Sequence, residues 1–359
     1  MNDFYPFDQP IYQIPSETLP ELTKNLADHV KRMHFRQILI GPLAEDPAPE
    51  VWSNLVQSAE SFGLSLLFAL SVRPEDTQDS LIGRAKHYPG STAVLLYLFR
   101  EETTAGQADQ LMDALSEACD LAVAARFLSL PEGEDEIPEG TCLFPFYRIA
   151  YRRHALAARR LQLRTYCELL DAMQEADHLM TAGSLIDGIC GLLAADCEKF
   201  RALPLKALMM LQMTLTGTPL LIQGEEFGLS EHRMPDTVRP KGDAFTPDPD
   251  WIQLEDADSL YAFVRDLVAL REEIPALACG GYQLLTLDRA FAFARMDEDA
   301  GQAVIVAVNL GASRVRMPGS ADVILSSCNR SFFDGTLLPY EAVILEAFPP
   351  DEDEEEETE

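Results

Sequence analysis

Apolar residues along the first two thirds of the chain gather into eight short runs, near positions 10, 37, 64, 92, 121, 143, 178 and 219. QILIG (37–41), LSLLFAL (64–70) and TAVLLYLF (92–99) are examples. Each is too short to span a membrane and too continuous for a half-exposed strand, the appearance of strands buried on both faces between helices. The segments between them carry apolar positions at helical spacing, as with Leu22, Leu26, Val30 and Met33 within Leu19–His34. Further helices are predicted over 49–62, 76–87, 105–118, 152–176, 185–195 and 203–216. Eight strand–helix units in one run predict a (β/α)8 TIM barrel, with a doubly wound sheet as the alternative. After the amphipathic segment Ser259–Glu273 the texture changes. YQLLTL, AFAFARM, QAVIVAVNL, DVILSS and EAVILEAF alternate with turn signals, which predicts a small antiparallel β-sandwich. The expected division is a barrel over 1–275, a sandwich over 276–348 and a disordered acidic tail over 349–359.

Composition narrows the role. The chain has 359 residues and a formal net charge of −31, and eight of those charges fall in the closing DEDEEEETE. So acidic a surface repels phosphate backbones and anionic membranes, so neither nucleic acid nor membrane is an expected partner. No apolar run reaches the roughly 18 residues of a membrane span. The opening MNDFYPFDQP has no apolar core, so a cytoplasmic protein is expected. The seven cysteines (119, 142, 167, 190, 197, 279, 328) show no CxxC spacing and read as reduced thiols. Six histidines (29, 34, 87, 154, 178, 232) show no HxH or HxxxH pairing, and no GxGxxG or P-loop pattern occurs. No metal and no cofactor is expected.

The segment with the strongest site character is MMLQMTLTGTPLLIQGEEFGL, near the end of the eight units. An apolar helix runs through Gly217-Thr218-Pro219 into a short strand that ends in glycines and paired carboxylates, as at the C-terminal edge of a parallel sheet. Gln223, Glu225 and Glu226 are the candidate binding residues there. Trp251, in the polar, proline-rich stretch 230–258, is a candidate for stacking on a sugar ring. Trp52 falls on the second helix and is expected to pack. The methionines 209, 210 and 213 are expected in the core.

These segments resemble glycoside hydrolase family 13, the α-amylase family, and within it the α-glucosidase and oligo-1,6-glucosidase branch. Gly217 to Leu229 is similar to that family's eighth-strand block, and Pro10–Ile14 and LADHVKRMHFRQILIGPL to its first strand, first helix and second strand. SLYAFVRDLVALREEIPALACGGYQLL is similar to its last barrel helix and the entry to its C-terminal sandwich. The resemblance implies a retaining glycosidase site, with a nucleophile and an acid/base carboxyl about 5–5.5 Å apart. The family places an Arg-x-Asp at the end of strand four, a Glu after strand five and an Asn-His-Asp at strand seven. Here those places read TAVLLYLF, LAVAARFLSL and MTAGSLID, and the Asn-His block after strand three is replaced by Ala69 to Pro74. The calcium-binding loop after strand one is reduced to Pro15–Thr18, and the large insert after strand three is missing.

The resemblance therefore implies a degenerate member with no catalytic residues, retained for binding, regulation or assembly. An α-glucan or oligosaccharide, or a protein, would be its partner. Its glutamates at 225 and 226 would be those the family uses for support. The alternative is an active α-glucosidase with relocated carboxylates, drawn from Glu101, Glu102, Glu132, Glu134, Asp187, Glu225 and Glu226. An unrelated enzyme on the same barrel is a third possibility.

Overall fold

The computed structural model describes residues 7, 9–16, 18–73, 75–98, 105–127, 141–142, 199–200, 202–228, 251–287 and 290–347. Strands β1 (Ile11–Ile14), β2 (Gln37–Ile40), β3 (Ser65–Ser71), β4 (Ala93–Leu98), β5 (Ala122–Phe127), β6 (Thr141–Cys142) and β7 (Leu220–Ile222) form one parallel sheet. Its order is β6-β5-β4-β3-β2-β1-β7, so the late strand β7 returns to pair with β1. Seven of the eight predicted barrel strands are thus in place and in barrel order. The one expected near 178 lies outside the described residues, as do the expected helices over 152–176 and 185–195 and the tail.

Between the strands run α1 (Lys24–Arg32), α2 (Pro49–Ser61), α3 (Gln78–Ala85) and α4 (Ala105–Cys119), followed later by α5 (Leu203–Thr214), α6 (Leu260–Glu273) and α7 (Pro275–Ala278). The first helix begins five residues later than its periodicity predicts, at Lys24 rather than Leu19. Thr23 is the cause, because its side chain accepts a hydrogen bond from Leu26 N and so caps the helix there. Only α3 connects β3 to β4, in agreement with the missing insert. Thr77 and Ser80 start it with a reciprocal capping box.

All residues of β1, β2 and β4 are buried, and their side chains alternate between two cores. Ile11, Leu39, Leu67, Leu95 and Leu220 fill the barrel interior, with Ala69, Ala93 and Ala124 giving them room. Tyr12, Ile38, Phe68 and Leu96 point outward to the helices. Trp52 packs edge-on against Tyr88 and donates its indole N–H to Ser91 Oγ at 2.9 Å, so it is a packing residue as expected. The three methionines of α5 are fully buried.

Beyond α7 a six-stranded antiparallel sheet, β8 (Gly281–Thr286), β9 (Phe291–Asp297), β10 (Gln302–Val308), β12 (Ala321–Ser326), β13 (Phe332–Phe333) and β15 (Ala342–Ala347), faces the two-stranded β11 (Val315–Arg316) and β14 (Thr336–Leu337). Two buried arginines join this part to the barrel. Arg271 of α6 donates to the carbonyls of Met213, Leu215, Gly217 and Ala278. Arg295 of β9 donates to those of Thr214 and Gly280. No helix among the described residues is long and apolar enough to cross a membrane.

Candidate functional site

The loop after β7 takes its shape from two glycines. Gly224 (φ 97°) and Gly228 (φ 78°) flank the 3-10 turn Glu225–Phe227 in the left-handed conformation that glycine adopts readily. A Cβ at Gly228 would also approach Leu205 Cδ1 to 3.0 Å. The turn folds both carboxylates back on their own backbone. Glu225 Oε2 accepts from Ile222 N at 2.9 Å, and Glu226 Oε2 from Gly224 N at 2.8 Å.

Glu226 Oε1 accepts from the Tyr12 hydroxyl and lies against His29 Nε2, each at 2.8 Å. Tyr12 faces outward from β1, and His29 belongs to α1. His29 in turn stacks on Phe227, which stacks on Tyr261 of α6. Glu226 is 1% exposed and Glu225 2%, so the pair is turned into the protein rather than toward an open face. Glu226 links the loop after β7 to the first strand and first helix. Nothing in the residues themselves signals this role, because Tyr12 and Glu226 are 214 positions apart.

Burial, then the Glu226 charge and hydrogen bond, raise the Tyr12 phenol well above its ordinary value of 10.0. Burial and Glu226 also raise Tyr261, and burial with Asp46 raises Tyr88. A phenol that stays neutral in the folded state but ionises above pH 10 when unfolded loses its stabilising contribution as pH rises past 10. In a spectrophotometric titration Tyr12 and Tyr88 are expected to remain un-ionised through about pH 10–11, where exposed phenols titrate, and to ionise only as the protein unfolds, while Tyr261 is expected to titrate later than an exposed phenol. Phe at position 12 is expected to reduce that late phase by one phenol.

The other candidates fall elsewhere. Gln223 is buried, and its backbone N–H donates to Gln13 O at 2.9 Å as the β1–β7 pairing ends. Trp251 opens the 3-10 turn Trp251–Leu254, and its side chain lies outside the described atoms. Glu101, Glu102, Glu132, Glu134 and Asp187 lie outside the described residues.

At the C-terminal end of the barrel interior stand Gln13 of β1 and Tyr97 of β4. Gln13 Nε2 donates to the Tyr97 hydroxyl at 2.6 Å and to Gly41 O at 3.0 Å, while its Oε1 has no hydrogen-bond partner among the described residues. The last two inward positions of β4 are Leu95 and Tyr97, so no arginine or carboxylate stands there. Alternation along the strand locates this pair, but only the β1–β4 geometry reveals that it closes across the barrel.

A second polar network ties the loops after β2 and β3. Arg84 bonds Asp46 Oδ2 and Asp76 Oδ2, both at 2.8 Å, and the Ser71 carbonyl; Tyr88 donates to Asp46 Oδ1. With all three guanidinium nitrogens of Arg84 hydrogen-bonded to the end of β3 or to the loops beside it, this network is a brace. Among the described residues no three His, Cys, Asp or Glu side chains are grouped to hold a metal ion.

No protein-family model matches the sequence. Neopullulanase 2 of Thermoactinomyces vulgaris is 29% identical over 101 residues, a stretch that spans 27% of this chain and only 16% of that protein. Solved structures match over almost the whole chain. Trehalose-6-phosphate hydrolase (TreA) of Bacillus licheniformis superposes with a TM-score of 0.72 at 14% identity, covering 95% of this chain and 99% of that one. MutB, a trehalulose synthase, in complex with sucrose gives a TM-score of 0.68 at 14% identity, covering 94% and 98%. The barrel order of the parallel sheet and the antiparallel sandwich that follows it agree with these matches. The chain shares the fold of these structures, a (β/α)8 barrel followed by a β-sandwich, which is the fold that the resemblance of Pro10–Ile14 and Gly217–Leu229 implies.

Proposed function

We propose that this chain is a catalytically inactive member of the α-amylase family, nearest the α-glucosidase branch, which keeps the barrel as a binding, regulatory or assembly scaffold. The observation that carries the reading is the end of β4. Where the family's Arg-x-Asp nucleophile is expected, Leu95 and Tyr97 face inward, and Tyr97 is held by the Gln13 amide at 2.6 Å. A retaining mechanism needs two carboxyl groups at fixed separation, and Glu226 is unsuited to supply one because both its oxygens are committed to Tyr12, His29 and Gly224 N.

The candidate ligand is an α-glucan or oligosaccharide. Relatives support this choice, since MutB structures hold glucose and sucrose. Gln223 and Trp251 remain the proposed contacts for it, on the strand-end side of β7. The proposed division is a barrel over 1–275, a sandwich over 276–348 and an acidic tail over 349–359. The proposed compartment is the cytoplasm, in keeping with the free Cys119, Cys279 and Cys328.

Purified protein incubated with p-nitrophenyl α-glucoside is expected to release nitrophenol no faster than buffer does. Turnover above the blank that disappears in Glu101→Gln, Glu132→Gln or Asp187→Asn would instead establish the alternative, an α-glucosidase with relocated carboxylates. Millimolar maltose or isomaltose is expected to raise the melting temperature. Absence of any shift would move the role from sugar binding to a protein partner.

A further inference from the structure

The six-stranded sheet is wider than the two-stranded sheet that covers it. Ala292, Ala307, Phe333 and Val343 pack beneath β11 and β14. Where that cover stops, a groove of about 710 Å³ opens between the edge strand β8 and the turn Met317–Ser320 that follows β11. Ile305 and Leu345 lie along it, with Leu285 on one side and Met317 on the other.

Two features give the groove a built form. The β8–β9 register shifts between Leu284 and Thr286, and such a bulge re-aims the residue it releases. That residue, Leu285, borders the groove at 46% exposure, so an apolar side chain is left toward solvent at its rim. The opposite wall is held in place. Met317 N donates to Gly335 O at 2.9 Å, and a Cβ on Gly335 would lie 3.0 Å from Gly319 O, so the two turns are in close contact.

The one charged residue lining the groove is Arg316. It is exposed and has no hydrogen-bond or ion-pair partner among the described residues, in a chain whose net charge is −31. A preformed apolar cavity of this size with a single orienting charge matches the general form of a small-molecule site.

We propose that this groove binds a small amphiphilic anion. The acyl or aryl body lies along Leu285, Ile305, Met317 and Leu345, and the carboxylate meets the Arg316 guanidinium. Arginine suits the task because its planar fork pairs both oxygens of a carboxylate. The site is separate from the barrel mouth, so it stands whether or not the barrel binds sugar.

Isothermal titration calorimetry with decanoate tests it on the full chain. Saturable binding at one site per chain is expected. Arg316→Glu and Leu285→Glu, both at exposed positions, are expected to weaken it by about tenfold or more, and decanol is expected to bind about tenfold more weakly than decanoate. Circular dichroism of the two variants should match the parent. The proposal is overturned if decanoate binds without saturation or not at all, if Arg316→Glu binds as tightly as the parent, or if decanol matches decanoate.

Discussion

Glu226→Ala is expected to lower the unfolding free energy by about 3–5 kcal/mol, because several buried hydrogen-bonding groups lose their acceptor together. The substitution strips three donors at once, namely the Tyr12 hydroxyl, the His29 ring and Gly224 N, in a place with almost no solvent access. Each buried group left unpaired costs about 1–3 kcal/mol, and relaxation of the loop offsets part of the sum. Glu226→Gln keeps an acceptor oxygen and is expected to lose less, about 1–3 kcal/mol. Urea unfolding followed by far-ultraviolet circular dichroism is the measurement. A Glu226→Ala variant as stable as the parent would show that the carboxylate is not the clamp described above. Its role as support rather than chemistry would then need another basis.

Arg271→Met carries the second large effect, a loss of about 3 kcal/mol or more. The α5 helix ends at Thr214, and its last carbonyls have no partners within the helix. Arg271 and Arg295 supply the donors, and their positive charges lie at the negative end of the helix dipole. Burial lowers the Arg271 guanidinium to about 9, with the Arg295 charge as the next cause, and lowers Arg295 to about 10. Both therefore remain protonated at neutral pH, and the charge is retained where the carbonyls use it. Arg271→Lys is expected to recover little, because a single ammonium cannot span the carbonyls of Met213, Gly217 and Ala278. Because the two arginines share one helix end, the double variant should cost less than the two single losses together. Recovery of parental stability by Arg271→Lys would show that charge alone, rather than the fork geometry, holds the joint.

The frame of the molecule was legible where one physical signal dominated. Continuous apolar runs such as Ala93–Leu98 report burial on both faces, and the change to short alternating strands after Gly280 marks the antiparallel sheet. Helix starts were less legible, since Thr23 ends the apparent periodicity of Leu19–His34 by offering a cap. Paired carboxylates after a strand look the same in sequence whether they face a cleft or fold back on their own amides. Gly224 and Gly228 decide that for Glu225 and Glu226. The partners that give Glu226, Gln13 and Arg295 their roles are brought together only by tertiary structure. The resemblance supplied the supporting role for the glutamates, and the geometry supplies its physical form.

The pairing of β7 with β1 also imposes a schedule on synthesis. Residues 11–14 leave the ribosome with one edge unpaired, and the strand that completes it does not emerge until Leu220–Ile222 are made. At about 5–20 residues per second, that interval is on the order of ten to forty seconds. Throughout it β1 offers a bare, uncharged edge, IYQI, to any neighbouring chain. The same wait applies to Tyr12 and His29, which have no carboxylate to meet until Glu226 arrives. A chain that ends before residue 220 lacks the strand that closes this edge, and an unpaired edge is a template for pairing with another chain.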